Sequence, residues 1–347
     1  MKRIVVYDRD REIANCTFVK AVLMLLVVFY HSIVFWGGSW FTKNPASQCV
    51  IMANVAEWLN SFHIYAFTLT SGYIFSYLVF EKGKYSAFIP FIKNKAKRLL
   101  IPYAFVAFIW VIPIQCFFLK YDAFTVFKNF VLAANPNQLW FLIMLFNAFV
   151  VFRVLAHFFR KYDLLGLAVV FGMYGCGLVG NAILPNVFMI WKTLQHMLFF
   201  WIGFKLRQYG TAILRSIPTV LWLVASVALF AVGKYLDSIS GIVFSLLYQG
   251  VVFCTKVVGS IMAFVALQRI ADTVKRNNKV FVFVSQRSMT VYLFHQQIIY
   301  FTIYWLNGIV NPYMNAVVNF IVAMTISLAL ATVLLRFRAT RFLVGEK

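Results

Sequence analysis

Residues 20–31 read Lys20-Ala-Val-Leu-Met-Leu-Leu-Val-Val-Phe-Tyr-His31. Ten apolar or aromatic residues run between a cation and an imidazole, which is the composition of a membrane-spanning helix. At ~100° per residue, a spacing of eleven returns the two polar side chains to within ~20° of each other on one helical face. At ~1.5 Å per residue they stand ~16 Å apart, about half the thickness of a bilayer's hydrocarbon core. Polar groups at such depths are costly in lipid, so the pair calls for a function and the rest of the chain for a housing around it.

The composition agrees with that reading. The 347 residues are 63% hydrophobic and only 12% charged, with a mean hydropathy of +0.82. A soluble globule carries about 25% charged residues, so the expected class is an all-α integral membrane protein. Runs of about 17–25 apolar residues mark ten expected spans, near 18–36, 58–80, 99–119, 138–156, 164–180, 187–206, 217–236, 241–268, 280–306 and 314–335. They form one transmembrane domain over residues 1–347, with no linker and no repeat. The basic N-terminus ahead of an apolar run looks like a signal peptide, but no small-residue cleavage site follows, so it reads as a first anchor.

The net charge of +22 has a topological explanation. Ten spans place 24 of the 32 Lys and Arg residues on one side. Among them are Lys2 and Arg3, the loop residues Lys93, Lys95, Lys97 and Arg98, then Lys275 and Arg276, and at the end Lys347. Only Lys43, Lys120, Lys128 and Lys234 fall on the other side. This bias sets both termini in the cytoplasm and accounts for the charge without nucleic acid. The partner it implies is the lipid bilayer. Five scattered cysteines without a CxxC pattern argue against a disulfide framework and against a zinc motif.

Chemistry is therefore expected among polar residues inside spans: Lys20, His31, His63, Lys192, His196, Lys256, Arg287 and His295. Topology brings His31, His63 and His295 toward mid-depth, and Ser288, Tyr292 and His295 share a helical face. Three readings fit such a cluster. Metal binding lacks an HxxxH pattern or a nearby carboxylate, so no metal is expected. Proton relay in a transporter lacks the membrane Asp or Glu that such carriers use. General-base catalysis by one histidine needs only an imidazole, whose ordinary pKa suits proton removal from a hydroxyl. Plainer readings stand beside these: Trp140 as part of an outer aromatic belt, His196 and Lys192 as helix-packing groups, and Gly172, Gly175, Gly177 and Gly180 as points of close helix approach.

Taken together, the motifs resemble those of the acyltransferase 3 family. Lys20-x10-His31 resembles that family's first-helix Arg-x10-His. Phe62-His63-Ile64 with Thr70-Ser71-Gly72-Tyr73 is similar to its second-helix pattern, and Lys97-Arg98-Leu99-Leu100-Ile101-Pro102 to its basic loop entering a helix. Gln138-Leu139-Trp140-Phe141-Leu142 resembles its Leu-Trp-Phe-Leu segment, and Ser288-x3-Tyr292-x2-His295 its late Ser-x3-Tyr-x2-His. Lys20 departs from the usual arginine, as in a branch that includes sugar O-acetylases. It keeps the charge and loses the bidentate fork. No esterase-like domain is expected after the spans.

The resemblance implies transfer of an acyl group, most often acetyl, from cytoplasmic acetyl-CoA as co-substrate to a hydroxyl of an envelope carbohydrate or glycolipid. Capsule, O-antigen and lipid-linked sugar precursors belong to this class. It implies a multi-pass protein of a bacterial cytoplasmic (inner) membrane, with no permanently bound cofactor. His31 would be the general base and Lys20 would meet the incoming donor. Lys93, Lys95, Lys97 and Arg98 would face the CoA nucleotide. His63, Ser71, Tyr73, Trp140, Ser288, Tyr292 and His295 would orient groups or stabilise the oxyanion. The readings from other classes are a glycolipid transporter or flippase and a non-catalytic scaffold.

Overall fold

The computed structural model describes residues 9–38, 40, 43–274 and 278–346. Lys2, Arg3, Lys275, Arg276 and Lys347, counted above among the basic residues, lie outside the described residues. In chain order the helices are α1 (Arg9–Ile33), α2 (Val50–Asn60), α3 (His63–Phe80), α4 (Phe88–Val106), α5 (Ala123–Val131), α6 (Trp140–Lys161), α7 (Asp163–Ile183) and α8 (Ile190–Tyr209). They continue with α9 (Ala212–Ser216), α10 (Thr219–Asp237), α11 (Ile242–Thr273), α12 (Lys279–Ser285), α13 (Ser288–Leu306), α14 (Pro312–Leu334) and α15 (Arg338–Leu343). No strand forms among the described residues. The protein is an all-α integral membrane protein, because only helices satisfy their own backbone groups over apolar runs of this length.

Eight helical stretches among the described residues are long and apolar enough to cross a membrane. The second and ninth expected spans, 58–80 and 280–306, are not among the eight. Their helices α3 and α13 have 18 and 19 residues. They bury His63, Thr68, Thr70 and Ser71, and His295, Gln296 and Gln297, respectively. Polar side chains lower the hydropathy of these helices while pointing into protein.

Three expected spans also differ in outline. The run 58–80 breaks at Ser61–Phe62, where the Ser61 hydroxyl donates to the Trp58 carbonyl at 2.6 Å and competes for a backbone acceptor. The run 280–306 breaks before Ser288, so Arg287, expected inside a span, lies at the break and donates to Thr332 Oγ1 at 3.2 Å. The run 99–119 starts eleven residues early, at Phe88, and continues past α4 as π-helical turns at Ala107–Val111 and Ile114–Phe118. Pro102 and Pro113 remove backbone donors in this stretch, which accords with its departure from α-helical bonding.

The chain divides into two compact units. The first comprises Met1–Leu23, Trp58–Lys84 and Phe199–Ser285. Within it, α3 meets the second half of α8 at backbone distance. A Cβ on Gly203 would stand 1.8 Å from the Leu69 carbonyl oxygen, and one on Gly72 would stand 2.0 Å from that of Phe200. Glycine is required at both positions because a carbonyl oxygen cannot swing aside as a flexible side chain can. The second unit comprises Met24–Glu57, Tyr85–Leu198 and Gln286–Lys347. There α13 packs on α14 and α4 on α6. Of the four glycines expected at close approaches, Gly177 and Gly180 pack against Trp191, whereas Gly172 and Gly175 face open space.

A polar cluster ties the first unit together. Glu12, 1% exposed on the first turn of α1, accepts from the Tyr73 hydroxyl, the Thr211 hydroxyl and the Arg215 guanidinium. Arg215 also reaches Asp272, which pairs with Arg11 at 3.0 Å and accepts from Asn15 at 2.8 Å. Arg207, itself buried, donates through two nitrogens to Glu81 and through a third to Tyr73.

Two outcomes follow. Gly203→Val forces α3 and α8 apart, an overpacking cost of about 1–3 kcal/mol or more, and is expected to lower the thermal unfolding midpoint in detergent. Second, the Arg207 hydrogen bonds hold the Glu81 carboxyl below the ordinary carboxylate range, against an opposing effect of burial. Because the folded-state value is depressed, this contribution is complete above the unfolded value, about 4.3. It is lost as pH falls through the folded value. Unfolding midpoints followed down from pH 6 should therefore drop on acidification, and Glu81→Gln should flatten part of that drop.

Candidate functional site

His31 lies in the last turn of α1, and its Nδ1 sits 2.9 Å from the carbonyl of Val27, one turn earlier. The same Nδ1 is 3.1 Å from Nε2 of His295 on α13. The Nδ1 of His295 faces the carbonyls of Val291 and Tyr292 at 3.1 and 2.8 Å. These contacts fix the protons when both rings are neutral. Two carbonyl acceptors require the His295 proton on Nδ1, so His295 Nε2 carries a lone pair. A contact between that lone pair and His31 Nδ1 requires the His31 proton on Nδ1. The basic atom of His31 is therefore Nε2.

Aromatic rings surround this pair. Trp40 stacks on His31 with centroids 5.6 Å apart and planes 25° from parallel. Tyr30 meets the same imidazole edge-on at 4.9 Å. Tyr300 packs edge-on to Trp40 at 5.0 Å, and its hydroxyl accepts from the buried Gln296 amide. His295 is wholly buried, while His31 is half-buried. A buried imidazole thus supports one that retains access.

A second set of bonds fixes α13 against the turn leading into α6. Gln138 donates to the Leu293 carbonyl at 3.2 Å and to Gln297 Oε1 at 2.7 Å, and Gln297 returns a bond to Gln138 Oε1 at 3.1 Å. The Tyr292 hydroxyl donates to the Gln138 carbonyl. The hydroxyl of Tyr292, a residue expected to orient His31 or donate to an oxyanion, is bonded to this turn, and its ring lies 6.2 Å from that of His295. Trp140, expected in an outer belt or at the site, has close polar neighbours. It is half-buried with His196 at 5.5 Å and the Lys192 ammonium at 5.9 Å from its ring. Ser288 opens α13 about two turns, ~10 Å, before His295.

The remaining expected residues have different surroundings. Lys20, His63, Ser71 and Tyr73 belong to the first unit, whereas His31 and His295 belong to the second. Lys20 lies over the Phe67 ring at 5.7 Å. The His63 Nδ1 is 2.6 Å from the Leu59 carbonyl. Ser71 donates to the Phe67 carbonyl at 3.0 Å, and Tyr73 is engaged by Glu12 and Arg207. Of the four basic residues of α4, Lys95 lies over the Phe149 ring at 3.4 Å, while Lys93, Lys97 and Arg98 are exposed. No group of three or more metal-ligating side chains assembles among the described residues.

Sequence reasoning did not single out Trp40, Gln297 or Glu12. Trp40 lies beyond the first helix, outside any periodic pattern. Gln297 adjoins the recognised His295-Gln296. Glu12 is one of three acids mixed with basic residues in Asp8-Arg9-Asp10-Arg11-Glu12, which reads as a solvated terminus.

An oriented imidazole in an all-helical membrane protein suits proton transfer. Neither the curated proteins nor the solved structures give a significant match. The family model described as "Acyltransferase domain" matches residues 13–336, nearly the whole chain. On that coverage, this multi-pass membrane protein belongs to the acyltransferase 3 family and is an acyltransferase.

Proposed function

We propose that this protein is a membrane O-acetyltransferase that moves an acetyl group from acetyl-CoA to a hydroxyl of a cell-envelope carbohydrate or glycolipid. The proposed setting is the cytoplasmic membrane of a bacterium. The observation that carries the reading is the hydrogen bond between His31 and His295, because it leaves His31 Nε2 as a base. The chemistry follows from that atom. Nε2 takes the proton of the acceptor hydroxyl while its oxygen attacks the thioester carbonyl carbon. The tetrahedral intermediate collapses, the C–S bond breaks, and the imidazolium returns its proton to the departing thiolate. The acetyl ester and CoA are released.

The surrounding residues support the charged state that this cycle visits. An imidazolium at His31 lies under the face of Trp40, within the range of a cation–π contact. His295 Nε2 and the Val27 carbonyl accept from its Nδ1–H and hold the ring in one orientation. Lys20, eleven residues earlier on α1, is the proposed contact for the donor.

His31→Ala is expected to lower acetyl transfer from labelled acetyl-CoA by about a hundred-fold to ten-thousand-fold while the protein still reaches the membrane. Normal acetylation in that variant would overturn the assignment. His295→Ala should lower kcat more than it raises KM for acetyl-CoA, since it removes orientation rather than donor contact. Trp40→Leu should cost roughly ten-fold in kcat, with Trp40→Phe recovering much of it because a smaller aromatic face remains. Equal loss in the two Trp40 variants would argue against the cation–π role.

A further inference from the structure

One face of α4 changes character along its length. Lys93 and Lys97 stand one turn apart and exposed. Beyond them, Leu100, Ala104 and Phe108 continue an apolar surface with Ile101, Phe105 and Ile109 beside it. These residues line an open-sided groove of about 610 Å³ with Leu343 of α15 among its walls. The tail after α15 is tightly seated: Gly345 has φ +76°, and a Cβ there would stand 2.7 Å from both the Arg98 carbonyl and Pro102. Phe108 and Ile109, 50% and 61% exposed, lie in the first π-helical turn.

The dimensions fit one leaflet. From Lys97 to Ile109 is twelve residues, ~18 Å of helix, against ~15 Å for half the hydrocarbon core. A ligand for this groove needs an anionic head at one end and an alkyl chain of leaflet length at the other. We propose that the groove holds an anionic phospholipid, with its phosphate between Lys93 and Lys97 and one acyl chain along Leu100, Ala104 and Phe108. A CoA nucleotide shares the phosphate chemistry, but its adenine and ribose need polar partners that the apolar wall beyond Lys97 does not supply. Lys95 does not contribute, because it is turned onto the Phe149 ring. The site uses two lysines that the family resemblance assigns to the CoA nucleotide, but lipid binding there does not require acyl transfer to occur.

Native mass spectrometry of the full-length protein in detergent, titrated with phosphatidylglycerol or phosphatidylcholine of matched chains, tests the proposal. Phosphatidylglycerol should be retained on the order of ten-fold better, from two lysines near a headgroup. Lys93→Gln/Lys97→Gln should reduce it to the phosphatidylcholine level, while Lys43→Gln/Lys128→Gln should leave it unchanged. Leu100→Trp, which fills the groove without altering charge, should also reduce retention. Unchanged thermal unfolding of these variants establishes that they are folded. Equal retention of the two lipids overturns the proposal, as does undiminished retention in the Lys93/Lys97 variant. Displacement of the lipid by millimolar CoA would make the nucleotide the occupant and equally overturn it. Persistence of the lipid against CoA and inorganic phosphate supports it.

Discussion

The burial of Glu12 is a constraint on which the first unit depends. A carboxylate removed from water is tolerated only when charged and hydrogen-bonding partners surround it. Its three partners arrive from distant parts of the sequence: Tyr73 on α3, Thr211 just before α9, and Arg215 on α9. Gln268 of α11 adds a bond to the Glu12 backbone carbonyl at 3.0 Å. The start of α1 is therefore held by α3, by α9 with its capping residue, and by α11. Arg207 and Asp272 extend the same logic outward, each charge meeting an opposite one. Removing a single partner would leave a buried charge exposed to low dielectric, which is costlier than the pair is stabilising.

The second unit meets the same constraint with neutral groups. His31 and His295 satisfy each other and three backbone carbonyls. Gln138 and Gln297 form a reciprocal amide pair, and Tyr292 closes onto the Gln138 backbone. Neutral donors and acceptors avoid the desolvation cost of a buried ion while still fixing orientation. In the proposed mechanism, charge develops on His31 only transiently, where the Trp40 ring face and a lone-pair acceptor receive it. Structural polarity is thus permanent and ionic in one unit, and neutral at the proposed base in the other.

Much of the fold was legible in the chain, and particular residues show where legibility stopped. The apolar runs gave the helices, yet one run breaks at Ser61, whose hydroxyl bonds the Trp58 carbonyl, and the sequence does not announce which serines do this. Prolines 102 and 113 marked a disturbed helix without revealing π-helical turns. His31 and His295 were both legible as costly intramembrane imidazoles, and the structure brings them to 3.1 Å. Tyr73 and Tyr292 were equally legible as candidates. In the structure the first bonds Glu12 and Arg207, and the second a backbone carbonyl, partners that periodicity could not name.

The sequence alone determined that the protein is helical and crosses a membrane several times, because hydrocarbon offers backbone groups no other partners. It also determined which side chains were too polar to be there without purpose, since transfer cost depends on residue type and depth rather than on neighbours. Tertiary structure alone decided which of those side chains act together. The His31–His295 contact joins residues 264 positions apart, and a hydrogen bond exists only within a few tenths of an ångström and a narrow range of angle. Periodicity can put a residue on a face. It cannot bring a second helix to that face, nor say which ring nitrogen carries the proton.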